Sequence, residues 1–327
     1  MPEGEQLPLE ALVEAFGLAE ADPYSLTPFA RVHRARTPAG AEVVLKRTGT
    51  KTAEALAAWT RALADSGVGV VTPVTLDRPN PQQLAAEEWW VVYPFVAGAA
   101  YRGEPEQVAE AGALLGRLHA APVDASPLRQ YRWPTVDEAE VAHECDVIEE
   151  NFARHVPGQR DACAAAVRSL ARQWCTGTVN LLREADLPSV GVSSDYKASN
   201  LVFTGSGPVL VDPDNGGREP RILDLALALI LFHNESDSAP ARLFDSAEWS
   251  AFLAGYQRHV SLTEQERQLW PQALEHLLWD EGTWVLEDHD ESGWSDPRQC
   301  AFMVELAQAR PAGPAGSLVL AARFPLG

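Results

Sequence analysis

VGVSSDYKASNLVFTGSGPVLVDPDNGGREPRILDLALALILF, residues 190–232, joins strand, turn and helix signals to an ordered set of acidic side chains. Asp195 is followed five positions later by Asn200, then by the apolar run Leu201, Val202 and Phe203, a Gly-Ser-Gly-Pro turn at 205–208, and a second apolar run at 209–211. Two apolar runs divided by a glycine-rich turn predict a β-hairpin. The second run ends in Asp212-Pro213-Asp214, so the hairpin brings Asp195, Asn200 and Asp212 to one edge while its strands bury their aliphatic side chains. An isolated Asp-x-Asp is usually a pair of turn formers bonded to their own backbone. Here the conjunction of hairpin, spacing and a following apolar helix argues for a site.

Two carboxylates and an amide at one edge suit phosphoryl transfer. That reaction needs little covalent help from protein, but it needs a carboxylate to orient the acceptor hydroxyl and oxygen ligands for magnesium on nucleotide phosphates. Asp195 suits the first role; Asn200 and Asp212 suit the second. In this order and spacing the stretch resembles the aminoglycoside phosphotransferase and choline kinase superfamily, whose hallmark is His-Gly-Asp, four residues, Asn, then Asp-x-Asp, then Leu-Asp-Leu-Ala. The corresponding positions read Ser193-Ser194-Asp195, Asn200, Asp212-Pro213-Asp214 and Leu223-Asp224-Leu225-Ala226. Serines 193 and 194 replace the family histidine and glycine. The resemblance implies an α+β, two-lobed, protein-kinase-like fold, with an antiparallel-sheet lobe at 1–97 that binds nucleotide and a larger, mainly helical lobe at 98–327 that holds the catalytic residues and the acceptor. It further implies ATP or GTP as phosphate donor, Mg2+ as cofactor, and Asp214 on the acceptor side. Asp224 opens a uniformly apolar run to Phe232, and is read as the cap of that buried helix and a brace for the catalytic loop.

Composition bounds the partners. The chain has 327 residues, 46% hydrophobic and 22% charged, which is enough for two lobes of a globular protein. Lys plus Arg number 26 against 46 acids, a formal charge of −20 that repels nucleic acid and anionic membranes and attracts cations. Cys145, Cys163, Cys175 and Cys300 lie far apart, without zinc spacing, and read as reduced structural thiols. The first residues carry acids where a signal peptide needs basic ones, and no apolar run reaches ~18 residues, so a cytoplasmic location is expected, as monomer or homodimer.

Before the central stretch, residues 9–18 show amphipathic helical spacing, residues 26–37 and 42–46 a hairpin about Pro38-Ala39-Gly40, and 51–63 a helix. Residues 68–74 and 89–96 read as strands. By the resemblance, Lys46 at the end of its strand contacts nucleotide phosphates and Glu54 pairs with it. The phosphate loop would be 25–31, which has no glycine, so that backbone amides and Ser25 or Thr27 would touch phosphate, and backbone groups of Tyr93, Phe95 and Val96 at the hinge would meet the base. Glu54 also suits the first turn of a helix for its charge alone. Residues 106–120 form a helix ending in Leu-Gly-Arg-Leu-His, with His119 read as a packing residue, and 136–152 and 160–183 are helical without a motif.

Near the carboxy terminus, WDEGTWVLEDHDESGW sets Glu281, Glu287, Asp288 and Asp290 among Trp279, Trp284 and Trp294. Aromatic walls with carboxylates hold ammonium groups. Glu281, Trp284, Glu287 and Asp288 are therefore candidates for a cationic acceptor: an aminoglycoside, an amino sugar or a related antibiotic or metabolite. Two other readings fit the same residues: a nucleotide- or metabolite-binding pseudokinase, favoured by Ser193 and Ser194, and a kinase for a primary metabolite such as a sugar, choline or homoserine.

Overall fold

Alternating apolar residues in the first hundred positions build a five-stranded antiparallel sheet. The computed structural model describes residues 7–27, 30–48, 53–85, 88–309 and 316–327. Pro28 and Phe29 of the expected phosphate loop, and Lys51 and Thr52 at the expected helix start, lie outside them. Helix α1 (Leu9–Phe16) leads into β1 (Glu20–Ser25), β2 (Val32–Arg36) and β3 (Glu42–Thr48); α2 (Ala53–Asp65), β4 (Gln82–Ala85) and β5 (Glu88–Pro94) follow. The strand order is β1-β2-β3-β5-β4. A side-chain period of two puts Val43 and Leu45 of β3 against Leu12 and Phe16 of α1, and so sends Val44 and Lys46 to the opposite, cleft-facing side.

Residues 68–74 are extended but form an isolated bridge, Val70 to Leu210, where a strand was expected. Gly69 explains the placement. Its Cβ, if present, would stand 2.5 Å from the Pro208 carbonyl, so the segment lies directly on the central hairpin. Val71 N donates to Leu210 O at 3.0 Å and Leu210 N to Gly69 O at 2.9 Å.

The remainder is mainly helical: α3 (Pro105–Ala120), β6 (Arg129–Gln130), α4 (Glu138–His155), α5 (Arg160–Gln173), α6 (Val179–Glu184), β7 (Ser189–Val192), β8 (Leu201–Thr204), β9 (Gly207–Leu210), β10 (Gly217–Pro220), α7 (Arg221–Leu231), α8 (Ser246–Tyr256), α9 (Glu264–Asp288), α10 (Glu291–Ser295), α11 (Pro297–Gln308) and α12 (Gly316–Arg323). The expected hairpin is β8–β9, in register Leu201 to Leu210. The helix expected over 160–183 is interrupted by a π turn at Trp174–Thr178, where Gly177 adopts φ 135°, a conformation that breaks helical geometry.

Helices α3 and α8 approach so closely that a Cβ on Gly112 would lie 1.9 Å from the Phe252 carbonyl. This contact fixes the floor under the loop that carries Asp195, because Tyr196 donates its hydroxyl to the Ala111 carbonyl at 2.7 Å. Arg221, at the start of α7, makes two bonds of 2.8 and 2.9 Å to the fully buried Glu266 at the start of α9. The five-stranded sheet ends with β5 at Pro94. Leu56, Trp59 and Leu63 of α2 pack into the carboxy-terminal core, not into the core of the sheet. The four cysteines are free, and among the described residues no helix is long and apolar enough to cross a membrane.

Candidate active site

The loop between β7 and β8 carries Asp195, and its shape is imposed from behind. Ser194 sits at φ 54°, in the left-handed region where a side chain is unfavourable by about 1 kcal/mol, which is the physical reason for glycine at such a position. Asp224, with no solvent exposure, holds the turn: it accepts from Ser194 N at 2.9 Å and Ser193 N at 3.2 Å. Its Oδ2 also accepts from His119 Nε2 at 2.9 Å, and His119 Nδ1 faces the Tyr256 hydroxyl at 3.0 Å. Asp224 thus braces the catalytic loop, but it does not cap its helix. Pro220 occupies the cap position without a side-chain bond, and Asp224 lies inside the first turn, pointing sideways.

Asn200 Nδ2 donates to both the backbone oxygen and Oδ2 of Asp195 at 2.9 Å, which leaves Asn200 Oδ1 as an acceptor. Val211 N donates to Asn200 O at 2.9 Å and so delivers Asp212 beside it. Asp212 then pairs with Lys46, which also lies 3.1 Å from Asp214 Oδ2. Burial disfavours the Lys46 ammonium, yet Asp214 and Asp212 outweigh it and hold its pKa above the ordinary value. Burial raises the Asp195 pKa; Lys197 works against that shift, and Asp212 adds to it. Asp195, Asn200, Asp212 and Lys46 therefore meet in one place.

Leu26, Thr27, Val44, Lys46, Pro94, Val96, Asn200 and Asp212 are among the residues lining a cavity of about 210 Å³ between the sheet and the hairpin. Several expected roles change on this geometry. Glu54 is exposed on α2, and the ion pairs of Lys46 among the described residues go to Asp212 and Asp214 instead. The inward face of α2 is apolar, so the helix offers the lysine no acid. Asp214 is on the lysine side, not the acceptor side: Tyr93 donates its hydroxyl to Asp214 Oδ1 at 2.9 Å, and burial raises the Asp214 pKa. Ser25 Oγ donates to Ala30 O at 2.7 Å and Thr27 Oγ1 to Ala30 O at 3.1 Å, so both hydroxyls close their own turn. Phe95 N–H is engaged by the Glu42 carbonyl at 3.2 Å, and Tyr93 is paired with Val44 in the sheet. All three hinge residues line the cavity, Phe95 and Val96 from beyond the paired part of β5.

A larger cavity, about 590 Å³, opens between the end of α7, α9 and α11, lined by Glu235, Trp284, Asp288, His289, Asp290 and Gln299 among others. Helical spacing sorts the expected acceptor residues. Glu281, Trp284 and Asp288, three and four residues apart, share one face of α9. Glu281 senses the charge of Asp195, and burial, with Asp280 and Asp195, pushes its pKa up to about 7. Glu287 is turned toward α4, where burial first and then the charge of Glu287 raise the pKa of Glu144. Trp284 is 54% exposed, whereas Trp279 and Trp294 are buried against Trp174 and His155, so no tryptophan cage forms.

Sequence reasoning missed Lys197 and Glu235. Lys197 Nζ lies 3.3 Å from Asp195 Oδ1 and 2.7 Å from Glu235 Oε2. The Asp-x-Lys spacing at 195–197 was a readable signal; Glu235, 38 residues further on, gave none.

Residues 29–276 match the phosphotransferase enzyme family. The chain belongs to this family. The fold of this phosphotransferase is similar to that of an aminoglycoside phosphotransferase from Alicyclobacillus acidocaldarius subsp. acidocaldarius, at 16% identity and TM-score 0.64 over 98% of this chain and 96% of that one. It is equally similar to amicoumacin kinase hAmiN in complex with AMP-PNP, Ca2+ and Ami, at 16% identity and TM-score 0.64 over 95% and 96%. A microcompartment-associated aminopropanol kinase aligns at 13% identity and TM-score 0.64 over 98% and 99%. No curated protein matches the sequence. At these identities the likeness establishes a shared kinase-like fold.

Proposed function

We propose that this phosphotransferase moves the γ-phosphoryl group of ATP, or of GTP, to a hydroxyl of a small amine-bearing molecule. The observation that carries the reading is the convergence of Asp195, Asn200, Asp212 and Lys46 at the cavity between the sheet and the hairpin. Nucleotide fits the cavity walled by Val44, Val96 and Val202, with Lys46 at its phosphate end. Asn200 and Asp212 suit Mg2+, which takes one or two protein oxygens and completes its shell with phosphate oxygens and water. Asn200 Oδ1 is available because Nδ2 is engaged by Asp195. The metal, when bound, would neutralise charge on the phosphates.

Asp195 orients the acceptor hydroxyl and takes its proton late, as the acceptor oxygen bonds to the γ-phosphorus and the bond to the β,γ-bridging oxygen breaks, the electron pair leaving on the nucleoside diphosphate. Its raised pKa moves it toward the working range of a base. For the acceptor, Glu281, Asp288 and Trp284 on one helix face, with a formal charge of −20, favour a cation. An ammonium beside Glu281 would also relieve the carboxyl's raised pKa.

Mg-ATP consumption against a panel of aminoglycosides, amino sugars, peptide antibiotics and amino alcohols tests the proposal. The best acceptor should be cationic, with a KM that rises with ionic strength, since a partly exposed contact of this kind contributes about 1 kcal/mol and is screened by salt. A neutral or anionic best acceptor with a salt-independent KM would remove the cationic reading and leave the kinase chemistry in place.

A further inference from the structure

Lys197 stands where the reaction must happen. Its ammonium is 3.3 Å from the Asp195 carboxylate, within reach of any oxygen that Asp195 orients, and so of the phosphoryl group arriving at that oxygen. In the structure, however, its shorter contact is to Glu235, at 2.7 Å. Glu235, in turn, is among the residues that line the 590 Å³ cavity. Both side chains are mostly buried, 17% and 19% exposed, so their attraction is weakly screened.

The mounting of Glu235 is specific. It sits at φ 54°, in the left-handed region that costs a residue with a side chain about 1 kcal/mol. The conformation is held from α11: Gln299 Oε1 accepts from Glu235 N at 3.3 Å, while Gln299 Nε2 contacts Asn234 Oδ1 at 2.7 Å and His289 Nε2 at 2.8 Å. A carboxylate fixed this way faces two cations in turn: Lys197 when the cavity is empty, and an acceptor ammonium when it is filled.

Building on the reading of a cationic acceptor, we propose that Glu235 is a positioning residue that restrains Lys197 until the acceptor arrives. An ammonium in the cavity takes over the Glu235 carboxylate and frees Lys197 for the phosphoryl group being transferred. Without acceptor the lysine's charge stays engaged by Glu235 and water is phosphorylated slowly. In that idle reaction a water oxygen bonds to the γ-phosphorus, the bond to the β,γ-bridging oxygen breaks, ADP leaves with the electron pair, and a water proton passes to Asp195.

The test is phosphate release from Mg-ATP with no acceptor present. Glu235→Gln removes the restraining charge and should raise idle hydrolysis about tenfold, equivalent to about 1.4 kcal/mol of barrier for one charge-assisted contact. Adding Lys197→Met to Glu235→Gln should abolish the gain. Butylammonium, a cation with no hydroxyl to phosphorylate, should stimulate wild-type hydrolysis and leave Glu235→Gln unaffected. A merely structural Glu235 predicts loss of activity, never a gain, so an unchanged or slower Glu235→Gln overturns the inference. The Asp195→Asn background separates the two levels: a Glu235→Gln gain that persists in it overturns the assignment of Asp195, whereas absence of the gain with Asp195 intact, in an enzyme whose turnover depends on Asp195, overturns the restraint alone.

Discussion

Replacing Asp224 by Asn should cost both stability and turnover, because no orientation of an amide reproduces the bonds that the carboxylate makes. Oδ1 accepts from Ser194 N, and Oδ2 accepts from Ser193 N and from His119 Nε2. If the new NH2 group takes the Oδ1 position, it meets the Ser194 N–H donor to donor; at the Oδ2 position it meets two donors. A bond to a charged group contributes about 1.5–3 kcal/mol, and a buried donor left unsatisfied costs a further 1–3 kcal/mol or so. With full burial of Asp224, the expected loss is about 3–5 kcal/mol, read as a lowered urea midpoint at unchanged slope. The surviving folded protein should lose about 100-fold in kcat, the scale of a roughly 1 Å misplacement of the catalytic group. KM for Mg-ATP should change little, since Lys46 and Asp212 are placed by β3 and β9. A variant within about 1 kcal/mol of wild type, with unaltered kcat, would refute the claim that Asp224 shapes the loop.

Asp195→Asn should lower kcat by at least ~100-fold with nucleotide affinity retained, and should remove the acidic limb of the wild-type pH profile, which burial of Asp195 places above the ordinary carboxylate range; steady-state kinetics with calorimetry checks both. Glu219 is pushed by burial, then by Asp224, from the usual 4.5 up to about 8, so the folded state binds its proton more tightly than the unfolded state does. Its contribution to stability is full below about pH 4.5 and is lost as pH rises to about 8; Glu219→Gln should therefore gain about 1–3 kcal/mol over wild type at pH 9 and nothing at pH 4, and equal denaturation midpoints at pH 9 would contradict this. Gly112→Ala forces a Cβ to 1.9 Å from the Phe252 carbonyl, and should destabilise by about 3 kcal/mol or more through separation of α3 and α8, measured by tryptophan fluorescence in urea.

The order Asp195, Asn200, Asp212 was legible because β-hairpin geometry is local: turn residues at 205–208 and two apolar runs fix a register that puts both strand ends at one edge. Lys46 was legible for a similar reason, since period-two alternation in β3 gives its face once Val43 and Leu45 are assigned to the core. Helices α1, α2 and α3 announced themselves by apolar spacing. The partners of these groups were another matter. Glu54, a plausible mate for Lys46 by position, points to solvent, and Asp214 takes its place from 168 residues away. Glu281, Glu287 and Asp288 are alike in sequence, but the rotation of one helix against α4 divides them between two environments. Lys197 could be found beside Asp195, whereas Glu235 becomes its partner only after α7 has carried the chain back across the loop and Gln299 of α11 has fixed its backbone. Periodicity and turn chemistry act over a few residues and so belong to the sequence alone; which charge meets which is decided by Coulomb and desolvation terms between distant segments, and these exist only once the helices have packed.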